Sequence, residues 1–236
     1  MPGTFIMVDG IDGSGKSTII EKWGEVLEQN NNIFYLKKYW KKHQTFPEPE
    51  ELHKFEVIIS AEPTYSWIGS AIRSEMVRKN HNYSPTSIAK AFSLDRLVLY
   101  KRVLLPALNS DKIVIQDRGV STSLCYQPLQ SSELNREYIS NLEGNKFALE
   151  NNPDYFIIAD VKAEEAMQRL GLREQQDQSV FEKKDFLQQA RESFLSEDFQ
   201  KYFKLQDTKI KKLDCNKNID IMKKNSVSLL KSILNI

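Results

Sequence analysis

The segment Gly10-Ile11-Asp12-Gly13-Ser14-Gly15-Lys16-Ser17-Thr18 carries the clearest chemistry in this chain. Glycines spaced through it let the backbone curl until its N–H groups converge on phosphate oxygens. Lys16 then reaches the β- and γ-phosphates of a nucleotide, and the Ser17 hydroxyl is placed to ligate Mg²⁺. A helix opening at Lys16 adds the positive end of its dipole to the same anion. The expectation is a site for ATP or GTP with Mg²⁺. Such a loop selects no reaction by itself. A guanine-reading NKxD segment is missing, because Asn145-Lys146 runs into Phe147-Ala148 and Asn216-Lys217 into Asn218-Ile219. No HRD or DFG sequence marks a protein kinase either. The remaining clues favour a small acceptor.

One such clue is Gln116-Asp117-Arg118, which follows the apolar run Ile113–Ile115. Ligands of open α/β sheets bind at the carboxyl ends of strands. There Asp117 can steer a magnesium ion or its waters, and Arg118 can clamp a phosphate through two parallel hydrogen bonds. Another is the helical pattern around Phe92 and Arg96, four residues apart and so on one face. An aromatic plane beside a guanidinium can stack on a base and bond its edge. The same spacing serves a core phenylalanine equally well.

These groups need a scaffold, and the hydrophobic pattern supplies one. Short apolar runs at Thr4–Val8, Ile33–Leu36, Val57–Ser60, Ile113–Ile115, Tyr155–Ala159 and Lys209–Leu213 read as strands. Between them, helical patterns cover Lys16–Gln29, Ile68–Arg78, Thr86–Leu108, Glu133–Glu150, Ala163–Leu170, Phe181–Phe203 and Ile219–Leu234. The alternation predicts an α/β fold, a parallel sheet wrapped in helices, as one domain over residues 1–236. Residues 37–56 carry Pro47 and Pro49 and read as an inserted loop, and residues 171–180 as a mobile flap. With 33 basic and 32 acidic side chains the net charge is +1, so phosphate recognition must be local, and neither nucleic acid nor membrane is an expected partner. Lysines and aromatics in 37–42 could form a nucleic-acid patch, but the glutamates at 48, 50, 51 and 56 favour a solvated surface. Cys125 and Cys215 match no metal or redox spacing, and His43, His53 and His81 form no ligand pair. With no membrane span or leader pattern, the expected place is the cytoplasm.

Taken together and in order, the motifs resemble the thymidylate kinase family. FIMVDGIDGSGKST resembles its phosphate loop, and Glu62-Pro63 with Ile68-Gly69 and Arg73 resembles its REPxxxxxGxxIR segment. Ala91-Phe92 through Asp95-Arg96 resembles its FAxDR helix, and Asp117-Arg118 through Tyr126-Gln127 its DRxxxSxxAYQ stretch. Pro153-Asp154 through Arg169 resembles the PDxxxxLDVxxExALxR strand and helix. The resemblance implies a P-loop NTPase fold with a parallel sheet of about five strands and a flexible lid. It implies transfer of the ATP γ-phosphoryl group to dTMP by a homodimer, packed through helices such as 86–108. Arg73 and Arg118 would hold phosphates, and Phe92 and Arg96 would bind thymine. Tyr126 would crowd the 2′ position, and Asp12 would contact the acceptor sugar or its metal.

Some members carry an arginine directly after that acidic residue; here it is Gly13, and members with glycine or alanine there draw the catalytic cation from the lid. Arg173 is the candidate, with Arg169 at the hinge as a second. The chain departs from the pattern at Ala61, where the family has arginine, at Thr64 and Tyr65 in place of glycines, and at Gly119 and Thr122. Two other readings stand beside this one. The acceptor could be a deoxynucleoside or another monophosphate, or the chain could bind ATP without transferring its phosphate.

Overall fold

The computed structural model describes residues 3–78, 81–171, 184–205 and 207–236. Among them all six strand candidates join one parallel sheet: β1 (Thr4–Asp9), β2 (Ile33–Tyr35), β3 (Val57–Ala61), β4 (Ile113–Asp117), β5 (Tyr155–Asp160) and β6 (Lys209–Asp214). Their order is β2-β3-β4-β1-β5-β6, one more strand than the resemblance suggested. The central strands are buried on both faces, hence their near-continuous Ile, Val and Phe runs. Edge strand β6 instead exposes Lys209, Lys211 and Lys212 and buries Leu213, and its charged edge discourages further pairing.

Register places the chemistry. Val8 pairs with Asp117, Ala61 pairs with Asp117 on the other side, and Asp9 pairs with Ile158. The carboxyl ends of β1, β3 and β4 therefore lie together, and β1 sits where successive connections diverge to either side. Behind them, helix Lys16–Leu27 is braced by helix Ile219–Leu234, where the Trp23 indole donates to the Ser226 carbonyl at 2.9 Å.

Residues 37–56 are not the irregular loop that their prolines suggested. Leu36–His43 is a helix and Pro49–Leu52 a single 3₁₀ turn, with Leu36, Trp40, Phe46 and Leu52 buried. Leu36 and Trp40 stand four apart, enough to seat one short amphipathic helix against the core. A second helix, Val120–Gln130, follows β4 although its sequence shows little periodicity. The expected helix 133–150 divides at Leu142, whose extended backbone lets Gly144 pack against helix Pro85–Leu99. A Cβ at Gly144 would sit 1.8 Å from the Ser93 carbonyl oxygen, so no larger residue fits. Ser196 likewise caps a new helix inside the expected 181–203 run. No helix among the described residues is long and apolar enough to cross a membrane.

Candidate active site

The phosphate loop joins β1 to helix Lys16–Leu27, with Gly10, Gly13 and Gly15 at φ of 148°, 80° and 94°. At Gly13 a side chain is excluded twice, by the left-handed backbone and by the Ala166 carbonyl oxygen, 2.6 Å from where a Cβ would stand. The arginine found after the acidic residue in some family members has no room in this loop. Gly10, Ile11 and Ser14 wrap the Lys16 ammonium, which donates to the carbonyls of Gly10 (2.9 Å) and Ile11 (2.8 Å) and to Ser14 Oγ (3.4 Å). Burial, with help from the positive Arg118, pushes the Lys16 pKa down to about 8. Gly15, Lys16, Ser17 and Thr18 then line a cavity of about 280 Å³ with Asp12, Gly13, Asp117 and Arg118.

Arg118 sits at the turn after β4 with φ of 65°, an uncommon conformation for a residue with a side chain. Its guanidinium pairs with Asp12 and approaches Asp9 Oδ1 at 3.8 Å. Asp9 is itself fixed by the hydroxyls of Ser121 (2.5 Å) and Thr122 (2.6 Å), which donate to Oδ2. Sequence reasoning missed Asp9, although a carboxylate closing β1 just before a glycine was a usable signal. Asp117 lies beside this cluster with Oδ1 buried and without a hydrogen-bond partner. Burial raises its pKa, against the pull of Arg118 and Lys16. No cluster of three or more His, Cys, Asp or Glu side chains that could hold a metal forms among the described residues. An orphaned carboxylate oxygen and the exposed Ser17 hydroxyl on one cavity suit an ion that takes few protein ligands and fills its shell with water and phosphate, as Mg²⁺ does.

A second cavity, of about 390 Å³, adjoins the first. Phe92, Tyr126, Ser123 and Gln127 line it beside the apolar Met76, Val77 and Ile88. Asp12, Pro63, Arg73 and Arg118 line both cavities. Tyr126 accepts the Asp12 N–H at 3.1 Å, which ties the wall of this pocket to the phosphate loop. Arg73 stacks on the Tyr65 ring at 3.8 Å, while its Nε donates to the carbonyls of Pro63 (3.0 Å) and Thr64 (3.1 Å).

Arg96 is placed differently from the expectation. It is 1% exposed and does not line the cavity that Phe92 lines. Its Nε donates to Glu62 Oε2 at 2.8 Å, and its other nitrogens bond Asn145, the Gly119 carbonyl and Ser123 Oγ. A buried carboxylate attracts a guanidinium more strongly than an open cavity does. Burial even with this partner lifts the Glu62 pKa to about 7. Arg96 thus supports Ser123, which faces the pocket, and holds the β3 end to helix Pro85–Leu99.

A third cavity, of about 360 Å³, opens on the far side of Gly15 and Thr18, lined by Arg169 and residues 216–219 with Met222. Arg169 bonds Glu165 Oε1 at 3.0 Å and the Cys215 carbonyl at 2.8 Å. Arg173 and the rest of the expected lid beyond Gly171 lie outside the described residues.

The model of the thymidylate kinase family matches residues 49–225. A thymidylate kinase of Thermoanaerobacter sp. strain X514 is 30% identical over 95% of this chain and 99% of its own. One from Brachyspira hyodysenteriae is 28% identical over 99% and 100%. A probable thymidylate kinase of Pyrococcus horikoshii is 32% identical over 73% and 72%. With a family match across three quarters of its length and relatives that align from end to end, this chain belongs to the thymidylate kinase family.

Proposed function

We propose that this protein transfers the γ-phosphoryl group of ATP to thymidine monophosphate, yielding thymidine diphosphate and ADP. The observation that carries the reading is the shared wall: Arg73 and Arg118 line both the phosphate-loop cavity and the pocket that holds Phe92 and Tyr126. Two cations between two cavities suit a reaction in which phosphates from both sides meet.

In this reading Lys16 leaves its carbonyl partners for the outer phosphates of ATP, and Arg73 and Arg118 hold the acceptor phosphate in line. Phe92 stacks on the base. Gln127 supports a pyrimidine with a ring N–H, because its buried Oε1 lacks a partner on the same pocket wall. Tyr126 closes the space that a 2′-hydroxyl would need. The nucleoside of ATP would occupy the cavity at Arg169 and residues 216–219. Ser17 and Asp117 would hold Mg²⁺, which when bound supplies charge neutralisation between the β- and γ-phosphates. We further assign the lid role to residues 171–180, with Arg173 meeting the transferring group. Catalysis here is positioning and charge compensation, so Arg173→Ala should lower kcat by about 10³-fold while changing ATP affinity little. Equal turnover in that variant would remove Arg173 from the mechanism. We also expect a homodimer, in a reducing cytoplasm that suits two buried, unpaired cysteines.

The test is ADP release with ATP and Mg²⁺ against a panel of nucleoside monophosphates and deoxynucleosides, each set against a blank without acceptor. Selective turnover of thymidine monophosphate is expected. Preference for another acceptor would overturn the base assignment and leave the kinase standing, and release no faster than the blank would overturn the transfer itself.

A further inference from the structure

The helix Leu36–His43 carries four lysines, and its seating sorts them. Leu36 and Trp40 are buried, which turns the flank bearing positions 37 and 41 toward Tyr65. The Lys37 and Lys41 ammonium groups lie 5.2 and 5.6 Å from the centre of that ring, whereas Lys38 lies over Tyr35 at 4.2 Å. Of the four, Lys37 alone lines the phosphate-loop cavity, together with Lys16, Ser17 and Asp117. Its charge is felt at the Asp117 carboxylate, yet it pairs with no carboxylate among the described residues. Ala61, at the end of β3, lines the same cavity and contributes only a methyl group. A long, exposed side chain resting on an aromatic ring is easily drawn away by a full negative charge.

We propose that Lys37 is a phosphate-contacting cation of the transfer site, delivered by the helix Leu36–His43. This rests on the phosphoryl-transfer reading above. During transfer an oxygen of the acceptor phosphate bonds to the γ-phosphorus as the bond to the β,γ-bridging oxygen breaks, and ADP leaves with that electron pair. Lys37 exchanges no proton in the step. It neutralises charge on the non-bridging oxygens from a position the phosphate loop cannot fill, because Gly13 has no room for a cationic side chain.

The experiment compares Lys37→Gln, Lys37→Arg and Lys42→Gln with the parent protein; Lys42 is exposed on the same helix and lines none of the cavities described above. Loss of one charge-assisted contact should lower kcat of Lys37→Gln by about tenfold to about a hundredfold. Lys37→Arg should recover most of that loss, Lys42→Gln should match the parent, and all three should keep the parent's thermal midpoint. A two-substrate analogue joining adenosine and thymidine through phosphates should bind Lys37→Gln more weakly by a similar factor, with affinity for thymidine unchanged. Lys37→Gln turnover within twofold of the parent would overturn the proposal. Should the parent show no transfer to thymidine monophosphate, the functional reading fails instead. Inorganic tripolyphosphate then decides: equal affinity in parent and Lys37→Gln overturns the Lys37 assignment, and weaker affinity in the variant sustains it.

Discussion

Lys16 is the residue whose chemistry is most sensitive to its surroundings. Burial, with the positive Arg118 beside it, pushes its pKa down to about 8, well below the usual lysine value. A triphosphate offers it full negative charge in place of carbonyl dipoles, so binding raises the pKa again. Between the two pKa values the bound form carries a proton that the free form lacks. ATP affinity should therefore hold below pH 8 and fall toward about tenfold per pH unit above it. Titration calorimetry at pH 8.5 in two buffers of different ionisation enthalpy should show proton uptake, and equal heats in both would refute the coupling. Arg96 teaches the complementary lesson. Its spacing from Phe92 correctly gave a shared helix face, but spacing names no partner. The partner turned out to be Glu62, reached by tertiary packing from the end of β3.

At the scale of elements, the helix Leu36–His43 is held by Trp40, which is fully buried and meets Phe46 edge-on at 5.6 Å between centroids. Trp40→Ala should cost about 3–5 kcal/mol, read as a lower urea midpoint with an unchanged slope. A loss below about 1 kcal/mol would mean that the helix is not seated as described. This element escaped sequence reasoning because Pro47 and Pro49 dominated the reading of a stretch in which only Leu36 and Trp40 set the helical face. The helix Val120–Gln130 escaped for another reason. Its Ser, Thr and Cys residues are indifferent helix formers, Pro128 interrupts the donor ladder, and both faces are largely buried, so no period appears. The phosphate loop and the strands were legible because their signals are local: left-handed glycines, and apolar runs buried on both faces. Asp117 and Arg118 were legible through their place at a strand end. What remained hidden, Asp9, Lys37 and the Glu62–Arg96 pair, depends on which elements the topology makes neighbours.

For the molecule as a whole, Leu94 is half exposed on helix Pro85–Leu99, within the region expected to pack against a second copy. Sedimentation equilibrium should give a particle of twice 27.4 kDa, and Leu94→Asp should shift it toward a single chain. A parent protein sedimenting as one chain would refute the dimer. The contact between Trp23 and Ser226 joins residues 203 positions apart. Met222, on the same late helix, shares a cavity with Gly15 of the phosphate loop. A phosphate loop made early in synthesis is thus braced by a helix made long after it. A nascent chain stopped before residue 219 lacks both the support behind helix Lys16–Leu27 and one wall of the third cavity. Nucleotide capture should therefore await synthesis of that helix, and a chain interrupted before it should lack the protection from proteolysis that a bound nucleotide gives.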